Sequence, residues 1–141
     1  MKKKTIIILA VILVVVAGGY LGIRAMLSNI ESSFESLKNT PPADIDLSVI
    51  EDGVYPGSYS LFPVSAEVNV TVKDHAITDI ELVKHDNGQG KPAEVIPQKV
   101  VESQSLDVDS VSGATHSSMV ILKAIENALL SAVNDGVEDG K

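Results

Sequence analysis

The chain has 141 residues with no cysteine and no tryptophan, which excludes disulfides, thiolate metal sites, iron–sulfur clusters and a cysteine-linked lipid anchor. Four of its 11 Lys/Arg lie in the first 24 residues, so the remaining 7 face all 19 Asp/Glu, a net −12 for the rest of the chain. Nucleic acid is excluded as a partner, because its binding depends on basic side chains neutralising phosphates.

Thr5 to Ile23 holds no charged residue and is mostly Ile, Leu, Val and Ala. At about 1.5 Å rise per residue, this stretch makes a helix of roughly 28 Å, close to the hydrocarbon thickness of a bilayer. Lys2, Lys3 and Lys4 precede it and favour the cytoplasmic side, which sends the acidic remainder outside. A cleaved signal peptide is the alternative, but its apolar region is shorter, and Ala17-Gly18-Gly19 matches a cleavage site poorly. Residues 1–24 are therefore expected as an uncleaved single-pass anchor, with the C-terminal domain extracytoplasmic.

Residues 25–49 are expected as a helical or flexible stalk. Leu27, Ile30, Phe34 and Leu37 recur at helical spacing, which suggests an amphipathic continuation of the anchor; a partly disordered spacer is the other reading. Pro41-Pro42 ends the pattern. The folded domain is expected over residues 50–135, with a tail at 136–141.

Asp52-Gly53 is a turn signal, and Val54 to Phe62 reads as a strand with an irregularity at Pro56-Gly57. Val68, Val70 and Val72 alternate with Glu67, Asn69 and Thr71, the two-residue period of a strand with one buried face. Lys73 to Ala76 is the turn of a hairpin, with Ile80 and Leu82 on the return strand. His85 to Lys91 is polar and glycine-rich and reads as a loop. Pro97 suits the first turn of a helix with Val100 and Val101 on its apolar face. Val108 and Val111 flank a short extended piece. Ile121, Leu122, Ile125, Ala128, Leu129, Ala132 and Val133 then form one helical stripe, with Ser117 and Ser118 as capping hydroxyls and Asn134-Asp135-Gly136 as a stop. The order predicts an α+β domain, a mainly antiparallel sheet packed with two helices, preceded by a single transmembrane helix.

The run Asp109 to Ser118 places small residues and hydroxyls just before an amphipathic helix. A helix N-terminus has unpaired N–H groups and partial positive charge, so it attracts anions. Gly113 and Ala114 would let a phosphate approach the backbone. On physical grounds the segment is either a phosphate site or ordinary helix capping by serines.

The pattern D-x-x-S-G-A-T, present as Asp109, Ser112, Gly113, Ala114 and Thr115, resembles the flavinylation motif of the FMN-binding domain family. That family includes flavin subunits of the Rnf and sodium-pumping NADH:quinone reductase complexes and small exported electron-transfer flavoproteins. The resemblance covers about positions 51 to 133, including Asp52-Gly53-Val54-Tyr55 and the stretch Gly90 to Ser105. It implies that a flavin transferase takes FMN from FAD and joins its phosphate covalently to Thr115, with Ser117 and Ser118 as the hydroxyl pair that follows the motif. It also implies a membrane-bound redox partner. Long family members carry a His-Glu-Thr-Pro-Gly-type loop against the flavin. Here the matching place is His85 to Gly90, which keeps the histidine and the glycines Gly88 and Gly90 but not the rest; His85 is either a ring contact or a polar loop residue.

His75 in the hairpin turn reads as solvent-exposed, and His116 is read as facing water rather than the phosphate. The three histidines are too scattered for a metal site, and no phosphate-binding loop, dinucleotide fingerprint or serine-hydrolase elbow occurs. A redox carrier is the first functional expectation, and an electron-delivering subunit of a separate reductase is the second. An unmodified anchored interaction module is the third.

Overall fold

The computed structural model describes residues 2–86 and 88–138, so Asn87 and the last three residues of the expected tail lie outside the described residues. The chain divides into two compact units, Met1–Ser36 and Leu37–Lys141, and each is treated by itself.

The first unit is helical, part of α1, which runs unbroken from Lys2 to Lys38. Among the described residues it is the one helix long and apolar enough to cross a membrane. Its apolar side chains are exposed, Leu13 at 72% and Val14 at 69%, which suits a lipid solvent rather than water. The helix ends before Pro41-Pro42, where the ring removes a donor and disfavours helix in the preceding residue.

The second unit is built on three antiparallel strands in the order β1 (Gly53–Leu61), β2 (Val64–Lys73) and β3 (Ala76–Asp86). In β2 the alternating valines point one way: Val68, Val70 and Val72 are buried with Val64 and Ala66, while Glu67 and Lys73 are exposed. Against this face lie α2 (Ile96–Ser103), which contacts β3, and α3 (Thr115–Glu138), which contacts β1 and β2. Val120, Ile121, Ala124, Ile125, Ala128, Leu129 and Ala132 are the buried stripe of α3. Each such Val, Ile or Leu stabilises the fold by roughly 1.5–3 kcal/mol relative to exposure. The α+β architecture with an antiparallel sheet and two packed helices is the one expected.

Both hairpins are tight. Asp74 and His75 connect β2 to β3 with φ of 52° and 60°, the paired positive values of a type I′ turn whose twist matches the strands. His75 is exposed, and its Nδ1 lies 3.2 Å from the Ile50 carbonyl. Phe62 and Pro63, joined by a cis peptide, connect β1 to β2.

Each sheet edge is met by a side-chain amide at one residue. On β3, the Gln104 side chain accepts from the Ile77 N–H at 2.8 Å and donates to the Ile77 carbonyl at 2.7 Å, as a further strand would. On β1, Pro56 offers no donor, and Asn127 of α3 donates to the Ser58 carbonyl at 2.9 Å.

Several expectations are corrected. No irregularity occurs at Pro56-Gly57: β1 pairs with β2 in continuous register there, because proline is tolerated on an edge strand. The register shifts instead lie between β2 and β3, at Glu67/Val68 and Thr71/Val72. No strand forms at Val108–Val111; the Val108 N–H goes to the Leu106 carbonyl and the Val111 N–H to the Ser118 hydroxyl. The final helix passes Asn134-Asp135-Gly136 and runs to Glu138, since a lone glycine costs a helix only about 1 kcal/mol. Residues 37–49 pack with the domain: the Ala43 N–H donates to Glu126 Oε1 at 3.0 Å, and Lys123 Nζ approaches Glu126 Oε2 at 2.6 Å, on a carboxylate side chain that is nearly buried. Just beyond, the Ser48 hydroxyl and amide both donate to Asp46, holding its carboxyl below the ordinary range.

Gly57 sets the approach of α3 to the sheet. A Cβ at that position would run into the Ala124 carbonyl oxygen and lie 2.6 Å from the Ala128 Cβ. Overpacking of this kind costs about 1–3 kcal/mol. Gly57→Ala is expected to lower the thermal midpoint of the detergent-solubilised chain by several degrees, read by circular dichroism. An unchanged midpoint would show that the helix can shift freely.

Candidate functional site

The chain leaves α2 through Gln104 in a left-handed conformation, φ 54°, and crosses to α3 without regular structure. Gly113 has φ 79°, a region that L side chains enter at a cost, and a Cβ there would meet no atom within 4 Å. Glycine at this position therefore serves the turn's backbone conformation first. The Ala114 carbonyl accepts from the Ser118 N–H at 2.9 Å, which makes Ala114 the residue before the first helical turn and Thr115 the first residue inside it.

Ser117 and Ser118 are thus not caps but members of the first turn of α3. They are 2% and 0% exposed. Thr115 is exposed. A first helical turn has amides without intrahelical acceptors and carries partial positive charge.

That helix start opens on a cleft of ≈ 460 Å³. One wall is Gly113 to Ser117, a second is Pro63 and Val64 where β2 begins, and a third is Gly88, Gln89 and Gly90. The size falls within the range of about 300–1,000 Å³ usual for small-molecule sites. A similar opening of ≈ 490 Å³ is lined by Pro56, Glu67 and Asn69. It presents a carboxylate and no helix N-terminus, which disfavours an anionic ligand.

The structure therefore brings together Thr115, Gly113, Ala114, Ser117, Gly88 and Gly90, and with them His116, which is half-buried. Asp109 and Ser112 are exposed and do not line the cleft; the Asp109 carbonyl lies 3.5 Å from Lys99 Nζ. Ser118 lies beneath the turn, out of the cleft.

His85 was expected in a loop and instead lies in β3, opposite Ala66 of β2. Its side chain is 2% exposed, with Nδ1 3.3 Å from Glu94 Oε1, and it is not part of the cleft wall. Glu94 belongs to the 3-10 helix Lys91–Val95 that follows the glycine turn, so the pair joins the two sides of the segment whose tip forms the third wall. At the end of β3, the Ser65 hydroxyl donates to Asp86 at 2.9 Å and Lys84 lies 3.2 Å away; both hold the Asp86 carboxyl below the ordinary range. Asp86 is thus charged at neutral pH, and this contact is released only as the medium turns acid.

Sequence reasoning missed Pro63, Val64 and Gln89 as cleft residues. The proline between two alternating apolar runs was the local signal for a turn, but its proximity to Thr115 depends on long-range packing.

Residues 63–130 match the model of a family described as FMN-binding domain. A Vibrio harveyi protein named NADH:acrylate oxidoreductase is 40% identical over 65 residues, which is 44% of this chain and 6% of that protein's length. The crystal structure of the CPE2226 protein from Clostridium perfringens aligns with a TM-score of 0.49 at 22% identity, covering 65% of this chain and 92% of the other.

The turn at Gly113 gives one test. An L residue in the left-handed region costs about 1–2 kcal/mol, and a β-branched one more. Gly113→Val is expected to reduce the melting temperature by several degrees; unaltered melting would mean that the turn relaxes without penalty.

Proposed function

From the match of residues 63–130 to the FMN-binding domain model, we propose that this chain carries FMN as a phosphoester on Thr115, outside the cytoplasmic membrane, and relays electrons. The observation that carries the proposal is the exposed Thr115, first residue of α3, at the edge of a ligand-sized cleft. The residues present fit the cofactor. The amides of the first turn and the small residues Gly113 and Ala114 suit the phosphate, and the exposed Pro63 offers apolar surface to a ring.

Attachment requires a flavin transferase and FAD. The Thr115 hydroxyl oxygen bonds to the phosphorus of the FMN half, the P–O–P bridge breaks, AMP leaves, and the hydroxyl proton passes to a base of the transferase. No electrons are transferred in this step. When bound, FMN supplies a ring that accepts and donates electrons, while the protein sets its orientation and exposure. A covalent link prevents loss of the cofactor outside the cell. The anchor raises the local concentration seen by a membrane-bound redox partner. Three lysines before the apolar stretch support the outward placement of the domain.

A second reading is favoured by the name of the Vibrio harveyi relative: this chain would deliver electrons to a separate reductase. Reduced, flavin-labelled protein that passes electrons only to a second polypeptide would support it.

Thr115→Ala is expected to abolish the covalent flavin after co-expression with a flavin transferase, with the melting temperature held, because the residue is exposed. Denaturing gels viewed under ultraviolet light and intact-mass spectrometry check both halves. Flavin retained by the variant after denaturation would refute the assignment.

A further inference from the structure

The turn that presents Thr115 is tied by one side chain. Within it, the Ala114 N–H donates to the Val111 carbonyl at 2.9 Å. Beneath it, the Ser118 hydroxyl accepts from the Val111 N–H at 3.0 Å and donates to the Ala114 carbonyl at 2.8 Å. A serine hydroxyl has one proton to donate, and here that proton and one lone pair are committed to the two ends of the same turn. The back-bond to a carbonyl four residues earlier is ordinary for a helical serine. The bond from Val111, seven residues earlier and outside the helix, is not; it joins the helix to the loop.

Ser118 is 0% exposed, and Ala114 above it is 4% exposed. A phosphate or another protein therefore has no access to that hydroxyl. Its neighbour Ser117, 2% exposed, is also buried but borders the cleft. Of the two adjacent serines, Ser117 lines the cleft and Ser118 bonds to the turn.

We propose that Ser118 is a positioning residue for modification of Thr115: its hydroxyl holds the Val111–Ala114 turn so that the Thr115 hydroxyl is presented to the transferase, without itself touching FMN or the transferase. This rests on the reading of Thr115 as the flavin acceptor. The chemistry is unchanged: the Thr115 Oγ–P bond forms, the P–O–P bridge of FAD breaks, AMP departs and one proton is released. Ser118 acts on geometry, and a misplacement of about 1 Å can slow a reaction about 10²-fold.

The test uses the full chain in detergent, with flavin transferase and FAD, in wild type, Ser118→Ala and Ser118→Thr. Initial labelling rates come from in-gel flavin fluorescence, the labelled site from peptide mass spectrometry, and Val111 amide protection from hydrogen exchange. Ser118→Ala is expected to label at least about tenfold slower and to lose Val111 protection, whereas Ser118→Thr, which keeps the hydroxyl, recovers both. Wild-type labelling in Ser118→Ala overturns the proposal. So does slow labelling with Val111 still protected, which would indicate direct contact by Ser118. If Ser118→Ala melts below the assay temperature, Ser118→Cys, of similar volume and weaker hydrogen bonding, carries the same comparison with the same two overturning results. Failure of wild-type Thr115 to label would overturn the acceptor reading itself, and that result is visible without any variant.

Discussion

Everything at the candidate site depends on how closely the last helix lies on the sheet. Gly57 removes the side chain that would hold the two apart, so Ala124 and Ala128 approach the β1 backbone directly. The valines of β2 and the Ile and Leu residues of α3 fill the space on either side of that contact. Once α3 is seated there, its first turn faces the start of β2 and the glycine turn after β3. The cleft is thus a consequence of core packing.

The electrostatics follow from the same placement. With net −12 beyond residue 24, the domain has an overall field that opposes an anion. A helix start concentrates partial positive charge and N–H donors within a few ångströms, which acts against that field locally. The carboxylates nearest in sequence do not oppose it: Asp109 does not line the cleft, and Asp86 is held by Ser65 and Lys84.

The sheet is small, and every strand but the central one is an edge. Such edges invite pairing with other chains. Gln104 and Asn127 answer this with side-chain amides that bond to the exposed backbone, and Pro56 removes a donor from the outer edge. Gln104 holds a left-handed backbone to do so, and its bonds to Ile77, Val101 and Val100 offset the strain of that conformation.

Periodic and local features were legible in the sequence alone: the uncharged run from Thr5 to Ile23, the alternating valines of β2, the apolar stripe of α3, and the Asp109–Thr115 motif with its family resemblance. These depend on neighbours a few residues apart, and a linear reading captures them. Tertiary structure alone decided the rest. It moved His85 from a loop into strand β3, with its side chain beside Glu94, and it turned Ser118 from a cap into a tie on Val111. It also brought Pro63, Gly88 and Thr115 to one cleft across more than 50 residues of chain. Such juxtapositions come from burial of the shared core, a sum over distant contacts that no local pattern encodes.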